Sequence, residues 1–304
     1  MSRYKKTGYF NAVTAAVSYG MNPLFSLPMY NLGYGVNSVL FYRYFFAVLL
    51  YGLWLKFVKK ISFNLTIKEA LSVFILAIAF SFSSLFLFDA FNYIESGLAC
   101  TILFSYPIIV AVISKLFFKE KMPVIIWLSL FMILIGIFML YDGNSMHKLN
   151  LKGIYLVLLS AFSYALYMIG VNRIKTVKHI KTNKLTFYVM LFGLSIYVWN
   201  LKFCTQLQPL NSYFVTCCAL LLAIFPTILS IETVTTAVKL IGATPTAILG
   251  ALEPLTALFF GVILFGETIT LKISCGIFLI LTGVIIVIMQ RNKKKKNFIS
   301  SRNQ

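Results

Sequence analysis

Four ionisable side chains lie inside long apolar stretches of this 304-residue sequence: Arg43, Asp89, Glu232 and Glu253. On membrane-insertion scales, a charged side chain at the centre of an apolar helix costs about 2.5–3.5 kcal/mol, so such residues are candidates for binding a solute or a proton. Glu253 is the deepest, ten residues from the start of its apolar stretch. Its carboxylate suits either a substrate amine or coupling proton, or a bracing role between the two parts of a broken helix.

The other three residues have simpler alternatives to a binding role. Arg43 is expected to make a salt bridge or carbonyl contacts inside a helical bundle. The functional alternative is that it serves as the counter-ion for a substrate carboxylate. Asp89 lies near the outer end of its apolar stretch, where interfacial solvation is at least as reasonable as binding. Glu232 has the same alternative at the inner end of its own stretch.

Tyrosine, asparagine, proline and glycine residues complete the predicted site. Tyr19 and Tyr164 occupy similar positions in VSYGM and FSYAL, and they are the preferred pair for stacking on, or hydrogen bonding to, an amphipathic solute. A tyrosine taken singly is more often a packing residue. The remaining cavity candidates are Asn22, Tyr106 and Tyr167, and the candidates for helix breaking and close packing are Pro107, Gly250 and Pro254.

Other kinds of chemistry have little support in the sequence. His147 and His179 lie in loops on opposite sides of the predicted bundle, and neither an HExxH sequence nor a P-loop glycine–lysine motif occurs. The five cysteines are odd in number and lack metal-ligand spacing, which disfavours a disulfide framework or a zinc site. We therefore expect neither an enzyme nor an ATP-driven pump, and we expect no cofactor and no metal.

The composition indicates a polytopic membrane protein. Hydrophobic residues make up 60% of the chain and charged residues 12%, whereas soluble domains average about 25% charged residues. A helical span needs roughly 20 mostly apolar residues, because hydrocarbon offers no hydrogen-bond partner to the backbone. This rule predicts an all-α integral membrane fold with ten transmembrane helices, near residues 8–31, 36–58, 69–93, 96–118, 123–141, 151–173, 184–202, 213–235, 243–265 and 269–290.

One half of the sequence is a diverged copy of the other. The segment 105–121 aligns with 252–268 without a gap, at a spacing of 147 that sets Pro107 on Pro254 and Glu120 on Glu267. Such a repeat determines the architecture. It predicts a first five-helix repeat in 1–145, a second in 146–290 and a basic tail in 291–304. The two glutamates follow their spans directly and are expected to cap or brace the next helix.

The charge distribution gives the repeat its orientation. With the N-terminus inside, 22 of the 27 lysines and arginines fall on the cytoplasmic side, as the positive-inside rule requires. The tail then becomes a cytoplasmic cap near anionic lipid instead of a nucleic-acid-binding segment. Since each copy holds an odd number of spans, the second copy enters the bilayer upside down. Inverted repeats place the substrate site at mid-depth between them, and exchanging their conformations switches the open side.

Several motifs of the two copies belong together: Tyr106-Pro107 through Glu120, Glu253-Pro254 through Thr268, Gly136, Gly283 and Arg43. By these residues the sequence resembles the EamA-like family of the drug/metabolite transporter superfamily over nearly its whole length. The resemblance implies a gradient-driven permease for small metabolites, commonly an exporter of amino acids, with a cavity lined by spans one, three, four, six, eight and nine. Val189 stands near the position equivalent to Arg43, so that arginine has no twin. Since family members with differing substrates share the Glu-Pro pair, we favour the bracing role for Glu253.

These observations predict a secondary-active exporter of small neutral or zwitterionic metabolites such as amino acids. We expect it in the plasma membrane with both termini cytoplasmic, with a small-molecule solute and the lipid bilayer as partners, protons as the candidate coupling ion, and no nucleic acid. The alternative is an exchanger of phosphorylated or nucleotide-linked sugars. That substrate would require several cavity lysines or arginines, and only Arg43 and Lys239 are available.

Overall fold

The computed structural model describes residues 3–94, 96–120, 122–140, 150–265 and 270–300. Glu267, the predicted repeat boundary at 145/146 and the last residues of the tail lie outside these ranges. Within them the chain forms helices and turns, with no β-strand. The helices are α1 (Arg3–Gly20), α2 (Asn22–Asn31), α3 (Val36–Leu53), α4 (Ile67–Ala90), α5 (Ser96–Leu103), α6 (Tyr106–Leu116), α7 (Val124–Leu140), α8 (Leu151–Arg173), α9 (Lys175–His179), α10 (Thr182–Asn200), α11 (Tyr213–Ala223), α12 (Ser230–Ile241), α13 (Ala243–Leu249), α14 (Leu252–Phe265) and α15 (Leu271–Ser300).

Seven helical segments of the described chain are long and apolar enough to cross a membrane. They are Val36–Val58, Ile67–Ala90, Leu98–Leu116, Leu151–Arg173, Tyr213–Ile241, Ala243–Phe260 and Leu271–Met289. The apolar α7 is shorter, at 17 residues. The chain is therefore a multi-pass helical membrane protein, and the count of ten spans stays a prediction.

Three of the predicted spans are broken near their middles. α1 gives way to α2 at Met21, α5 to α6 at Phe104–Ser105, and α13 to α14 at Gly250–Ala251. A proline lies in the first turn of each following helix: Pro23, Pro107 and Pro254. Proline is tolerated there because first-turn N–H groups lack an intrahelical partner.

Two further spans contain a π-helical segment, Trp54–Val58 after α3 and Ile224–Leu229 between α11 and α12. Pro226 lies inside the second segment. A π-helical turn widens the backbone and is often found at functional positions. Here it leaves a backbone carbonyl accessible to a neighbouring helix, as described below for Arg43.

Small residues let antiparallel helices approach closely. A Cβ placed on Gly136 of α7 would lie 2.7 Å from the Gly276 carbonyl oxygen of α15, and the reverse contact is also 2.7 Å. Gly283, further along α15, meets Ile133, earlier in α7, so the two helices run in opposite directions. Glycine is needed at these crossings because any side chain would push the backbones apart.

The same antiparallel packing joins α4 to α8 and α1 to α12. Ser160 Oγ of α8 donates to the Ser83 carbonyl oxygen of α4 at 2.7 Å. Ser230 Oγ of α12 donates to the Ala15 carbonyl oxygen of α1 at 3.3 Å. These buried hydroxyls satisfy carbonyl oxygens at helix crossings and fix the register of each pair.

The bundle has two ends, which we name by their loops. The upper face carries residues 32–35, 91–94 and 201–212. The lower face carries residues 59–66, 117–120 and 174–181. Lys152 Nζ donates to Tyr93 Oη at 2.6 Å on the upper face, and Ser72 Oγ lies 2.7 Å from Thr176 Oγ1 near the lower face.

Candidate functional site

A cavity opens where the breaks of three helices meet. It holds about 400 Å³ of space free of protein atoms, part of which is open to the outside. Its lining residues are Tyr19, Gly20, Asn22, Pro23, Leu87, Phe91, Cys100, Leu103, Glu253 and Pro254. They come from the α1/α2 break, the upper end of α4, the end of α5 and the start of α14. The part of this space that admits a water-sized sphere is about 30 Å³, room for one or two water molecules, so a larger solute requires the cavity to widen.

The cavity lies entirely at the helix breaks and on their upper side. The half-helices α5 and α14 run from the breaks towards the upper face, whereas α6 and α13 run from the breaks to the lower face. No lining residue comes from α6 or α13, and these two helices pack against each other below the cavity. This cavity therefore lies above the contact between α6 and α13.

Glu253 supplies the carboxylate of the cavity wall. Tyr106 Oη donates to Glu253 Oε1 at 3.3 Å, and Tyr106 is only 1% exposed. Tyr106 and Glu253 are 147 residues apart, so they occupy the same position in the two sequence copies. Among the described residues no lysine or arginine lies within ion-pair distance of Glu253, which leaves its second oxygen available to a ligand or a proton.

The predicted tyrosine pair is in contact beside this carboxylate. The rings of Tyr19 and Tyr164 stack with their centroids 6.0 Å apart and their planes 7° apart. Tyr106 meets Tyr164 edge to face at 4.8 Å. Such ring pairs contribute about 0.5–1.5 kcal/mol beyond burial. Only Tyr19 of this group lines the cavity, so the others hold the wall in place.

Tyr167 packs away from the cavity. It is fully buried, and its hydroxyl lies 2.7 Å from Thr235 Oγ1. Its ring also packs against Phe80 with centroids 5.0 Å apart. A buried tyrosine with a satisfied hydroxyl is a packing residue that ties α8 to α12.

Asn22 presents an unsatisfied amide to the cavity. The side chain is 3% exposed, and neither Nδ2 nor Oδ1 has a hydrogen-bond partner among the described residues. A buried polar group without a partner costs about 1–3 kcal/mol. Because Asn22 lines the cavity, a solute or a water molecule placed there would satisfy both the donor and the acceptor.

Arg43 is fully buried behind Tyr19 and braces the π-helical segment of the neighbouring span. Its Nε donates to Thr227 Oγ1 at 2.6 Å, and its Nη2 donates to the Pro226 carbonyl oxygen at 3.0 Å. Its Cζ lies 6.0 Å from the Tyr19 ring centroid. Nη1 has no partner among the described residues. Arg43 therefore makes carbonyl contacts within the bundle, and it keeps one unused donor group close to the cavity wall.

Asp89 and Glu232 are not brought to the cavity. Asp89 Oδ1 accepts from Asn92 Nδ2 at 3.3 Å at the upper end of α4. Glu232 Oε1 accepts from Asn183 Nδ2 at 2.7 Å in the lower half of the bundle. Neither carboxylate is among the lining residues. Asp89 lies in the last turn of α4, where the solvation alternative applies, whereas the span of Glu232 continues to Ile241, so Glu232 is not at its inner end as the sequence suggested.

The sequence missed the apolar part of the wall. The lining also includes Leu87, Phe91, Cys100 and Leu103, which are residue types that occur at ordinary packing positions of a membrane helix. Two of them could have been predicted from their position, because Cys100 and Leu103 directly precede the helix break before Pro107. Gly250 lies against Tyr106, and a Cβ at that position would overlap the Tyr106 hydroxyl.

Comparison with known proteins assigns the chain to a family. The EamA-like transporter family matches it twice, over residues 6–142 and 151–289. A relative from Bacillus subtilis (strain 168), named "Uncharacterized transporter YdfC", is 25% identical over 243 residues, which are 77% of this chain and 76% of that protein. A crystal structure of another protein has a TM-score of 0.76 at 13% identity and covers 95% of this chain and 99% of its own, which shows a shared fold. The chain is therefore a membrane transporter that belongs to the EamA-like transporter family.

Proposed function

We propose that this transporter moves a small neutral or zwitterionic metabolite that carries an amine, such as an amino acid, by alternating access. The observation that carries the proposal is the cavity at the helix breaks. Its polar wall consists of the Glu253 carboxylate, the unsatisfied Asn22 amide and Tyr19, and it includes no lysine or arginine. The sequence favoured a bracing role for Glu253, but a carboxylate that lines a cavity without a lysine or arginine partner among the described residues is complementary to a substrate ammonium group.

The proposed architecture is ten spans in two inverted repeats, 1–145 and 146–290, followed by the tail. Support comes from reciprocal contacts between equivalent positions. Ser83 and Ser230 are equivalent at a spacing of 147, and their partners Ser160 and Ala15 are equivalent at 145. A pseudo-two-fold axis relates such contacts by exchanging the two copies.

The antiparallel crossing of α7 and α15 supports the same axis. Gly136 meets Ile280 and Gly283 meets Ile133, and both pairs of equivalents are separated by 147. An axis in the membrane plane requires equivalent helices to run in opposite directions. The packing of the fifth and tenth predicted spans meets that requirement.

The proposed orientation has the lower face and both termini in the cytoplasm of a plasma-membrane protein. Basic residues concentrate at the lower face, in 56–68, 115–119 and 173–184. Lys152 and Lys202 are at the upper face. Such a bias is the usual determinant of topology. In this orientation the cavity opens outwards.

Two features disfavour the alternative of a phosphorylated or nucleotide-linked sugar. Phosphate recognition needs several cationic donors, whereas Arg43 uses two of its nitrogens on Thr227 and Pro226. Lys239 Nζ donates to the Ile180 carbonyl oxygen at 2.6 Å, at the lower face and away from the cavity. A neutral or zwitterionic solute also avoids work against the membrane potential, about 2.3 kcal/mol per charge per 100 mV.

Counterflow in proteoliposomes tests the proposal. Purified protein is reconstituted and assayed with a panel of amino acids, purines and sugar phosphates, with and without an imposed proton gradient. We expect exchange of at least one amine-bearing metabolite and loss of that exchange in Glu253→Gln. Asp89→Asn is the matched control, because it removes a carboxylate outside the cavity and should leave exchange unchanged.

The outcomes separate the alternatives. Exchange of sugar phosphates alone would reject the substrate class. Unchanged exchange in Glu253→Gln would remove the proposed amine contact. Exchange that persists in Glu253→Gln while proton-driven accumulation is lost would assign Glu253 to the coupling proton, the candidate coupling ion, instead of to the substrate.

A further inference from the structure

Three side chains from both sequence copies meet at the lower face, at the lower ends of the half-helices α6 and α13. We propose that Glu120, Arg173 and Thr244 form a latch that holds the lower face closed while the cavity is open above. This inference rests on the proposed alternating-access function, and it adds the residues that control which side is open.

In the latch, the two oxygens of the Glu120 carboxylate bind two different partners. Arg173 Nη2 forms an ion pair with Glu120 Oε1. Thr244 Oγ1 donates to the other oxygen, Glu120 Oε2, at 3.3 Å. The Arg173 guanidinium also lies over the Phe118 ring, with Cζ 4.4 Å from the centroid. Both oxygens of Glu120 are thereby engaged, which makes it a link between helices instead of a cap of the next one.

The local backbone directs Glu120 towards its partners. Lys119 has a positive φ of 51°, and the Glu120 N–H donates to the Ser114 carbonyl oxygen at 3.1 Å, which turns the chain back over the end of α6. Thr244 lies in the first turn of α13, just after Gly242, whose φ of 91° favours glycine. These two turns bring the ends of α6 and α13 next to Arg173 at the end of α8.

The latch connects elements of both copies that would separate if the lower face opened between them. α6 belongs to the first copy, and α8 and α13 belong to the second. At its other end α6 meets the α13/α14 break, where Tyr106 lies against Gly250 and hydrogen-bonds to Glu253 of α14. A movement of the copies that opens a path between α6 and α13 would therefore break the Glu120 contacts.

The strength of the latch fits a reversible switch. The side chains of Arg173 and Glu120 are 28% and 30% exposed, so solvent weakens their attraction. For a partly exposed pair of this kind, we expect loss of the contact to shift the ratio of upper-open to lower-open states by about two- to fivefold. That shift is large enough to measure and small enough for thermal opening.

Cys100 offers a direct report of the upper-open state, because it lines the cavity. In a protein whose other four cysteines are replaced by serine, a membrane-impermeant maleimide applied from the upper face should label Cys100. We expect Glu120→Gln and Arg173→Gln each to slow this labelling, and the exchanged pair Glu120→Arg with Arg173→Glu to restore it. Lys239→Gln is the matched control, since its lysine contacts a carbonyl of its own copy at the same face.

A cross-link tests the contact independently of charge. In Glu120→Cys with Thr244→Cys, a short bifunctional thiol reagent should join the two positions, stop exchange and leave Cys100 labelling from above intact. Failure of the cross-link to form, or continued exchange in the cross-linked protein, would overturn the latch. Equal labelling rates in wild type and both single variants would do the same.

The labelling assay needs no substrate, so it separates this inference from the proposed function. A protein that exchanges no amine-bearing metabolite but shows the labelling pattern retains the latch and loses the substrate assignment. A protein that exchanges amines with labelling unaffected by Glu120 and Arg173 retains the transport function and loses the latch. Variants that aggregate are recognised by size-exclusion chromatography, and the exchanged pair then serves as the folded reference.

Discussion

Replacing Gly250 by alanine should disrupt the contact between the two sequence copies at the cavity wall. An added Cβ would overlap the Tyr106 hydroxyl and would lie 3.0 Å from Tyr106 Cζ and 2.9 Å from the Ala247 carbonyl oxygen. Tyr106 is 1% exposed and has little space to move. The ring must therefore shift away from Glu253, and the Tyr106–Glu253 hydrogen bond is lost.

The magnitude follows from these two effects. Overpacking a well-filled interior costs about 1–3 kcal/mol, and a hydrogen bond to a charged group contributes about 1.5–3 kcal/mol. The two effects share the same ring and do not add fully. We therefore expect Gly250→Ala to lower the free energy of unfolding by about 3 kcal/mol.

A second substitution tests the cause. Tyr106→Phe removes the atom that the new methyl group would overlap, so the double variant should regain part of the stability lost in Gly250→Ala. The contact with the Ala247 carbonyl oxygen remains, and we expect the double variant to stay about 1–2 kcal/mol below wild type. Gly35→Ala is the control, because the nearest atom to its Cβ is 3.5 Å away, an ordinary contact.

Thermal unfolding in detergent, followed by tryptophan fluorescence and by the soluble fraction after heating, gives the order of the four proteins. We expect wild type and Gly35→Ala to unfold at the same, highest temperature, the double variant at a lower one and Gly250→Ala at the lowest. Wild-type stability of Gly250→Ala would refute the close approach. A double variant less stable than Gly250→Ala would show that the hydroxyl is not the obstructing group.

Two further substitutions separate binding from folding. Asn22→Leu removes a buried amide that has no partner among the described residues, so thermal stability should stay the same or rise. The KM for counterflow should increase about two- to tenfold, which corresponds to the loss of one hydrogen bond. An unchanged KM would exclude Asn22 from the site. Arg43→Lys should lower the free energy of unfolding by about 2–4 kcal/mol, because one ammonium group cannot replace the separate hydrogen bonds of Nε to Thr227 and of Nη2 to Pro226. Unfolding of this variant at the wild-type temperature would contradict the bracing role of Arg43.

The sequence predicted those features that depend on local composition and on the repeat. Long apolar runs identified the membrane class, because a helix in hydrocarbon satisfies its own backbone groups. The spacing of 147 identified Tyr106 and Glu253 as equivalent positions, and in the structure their side chains are in contact. Tyr19 and Tyr164 also occupy similar positions in the two copies, and their rings stack in the structure.

Partners far apart in sequence were not accessible in this way. Arg43 meets Thr227 across 184 residues, and nothing in either local pattern points to the other. Glu120 was expected to cap or brace the next helix, whereas it binds Arg173 and Thr244. A span can present any of its faces to the bundle, and the facing residue is chosen by the packing of all the helices together.

The sequence by itself thus determined the membrane environment of this protein, its internal sequence repeat and the small set of charged residues inside its spans. Each of these features depends on residue type and spacing along one chain. Only the tertiary structure decided which of those charges face a cavity. Glu253 does so because the α13/α14 break brings it beside the α1/α2 break, while Asp89 and Glu232 are bonded to asparagines elsewhere. The physical reason is that burial beside a cavity is set by the meeting of helices from both copies, which no single segment encodes.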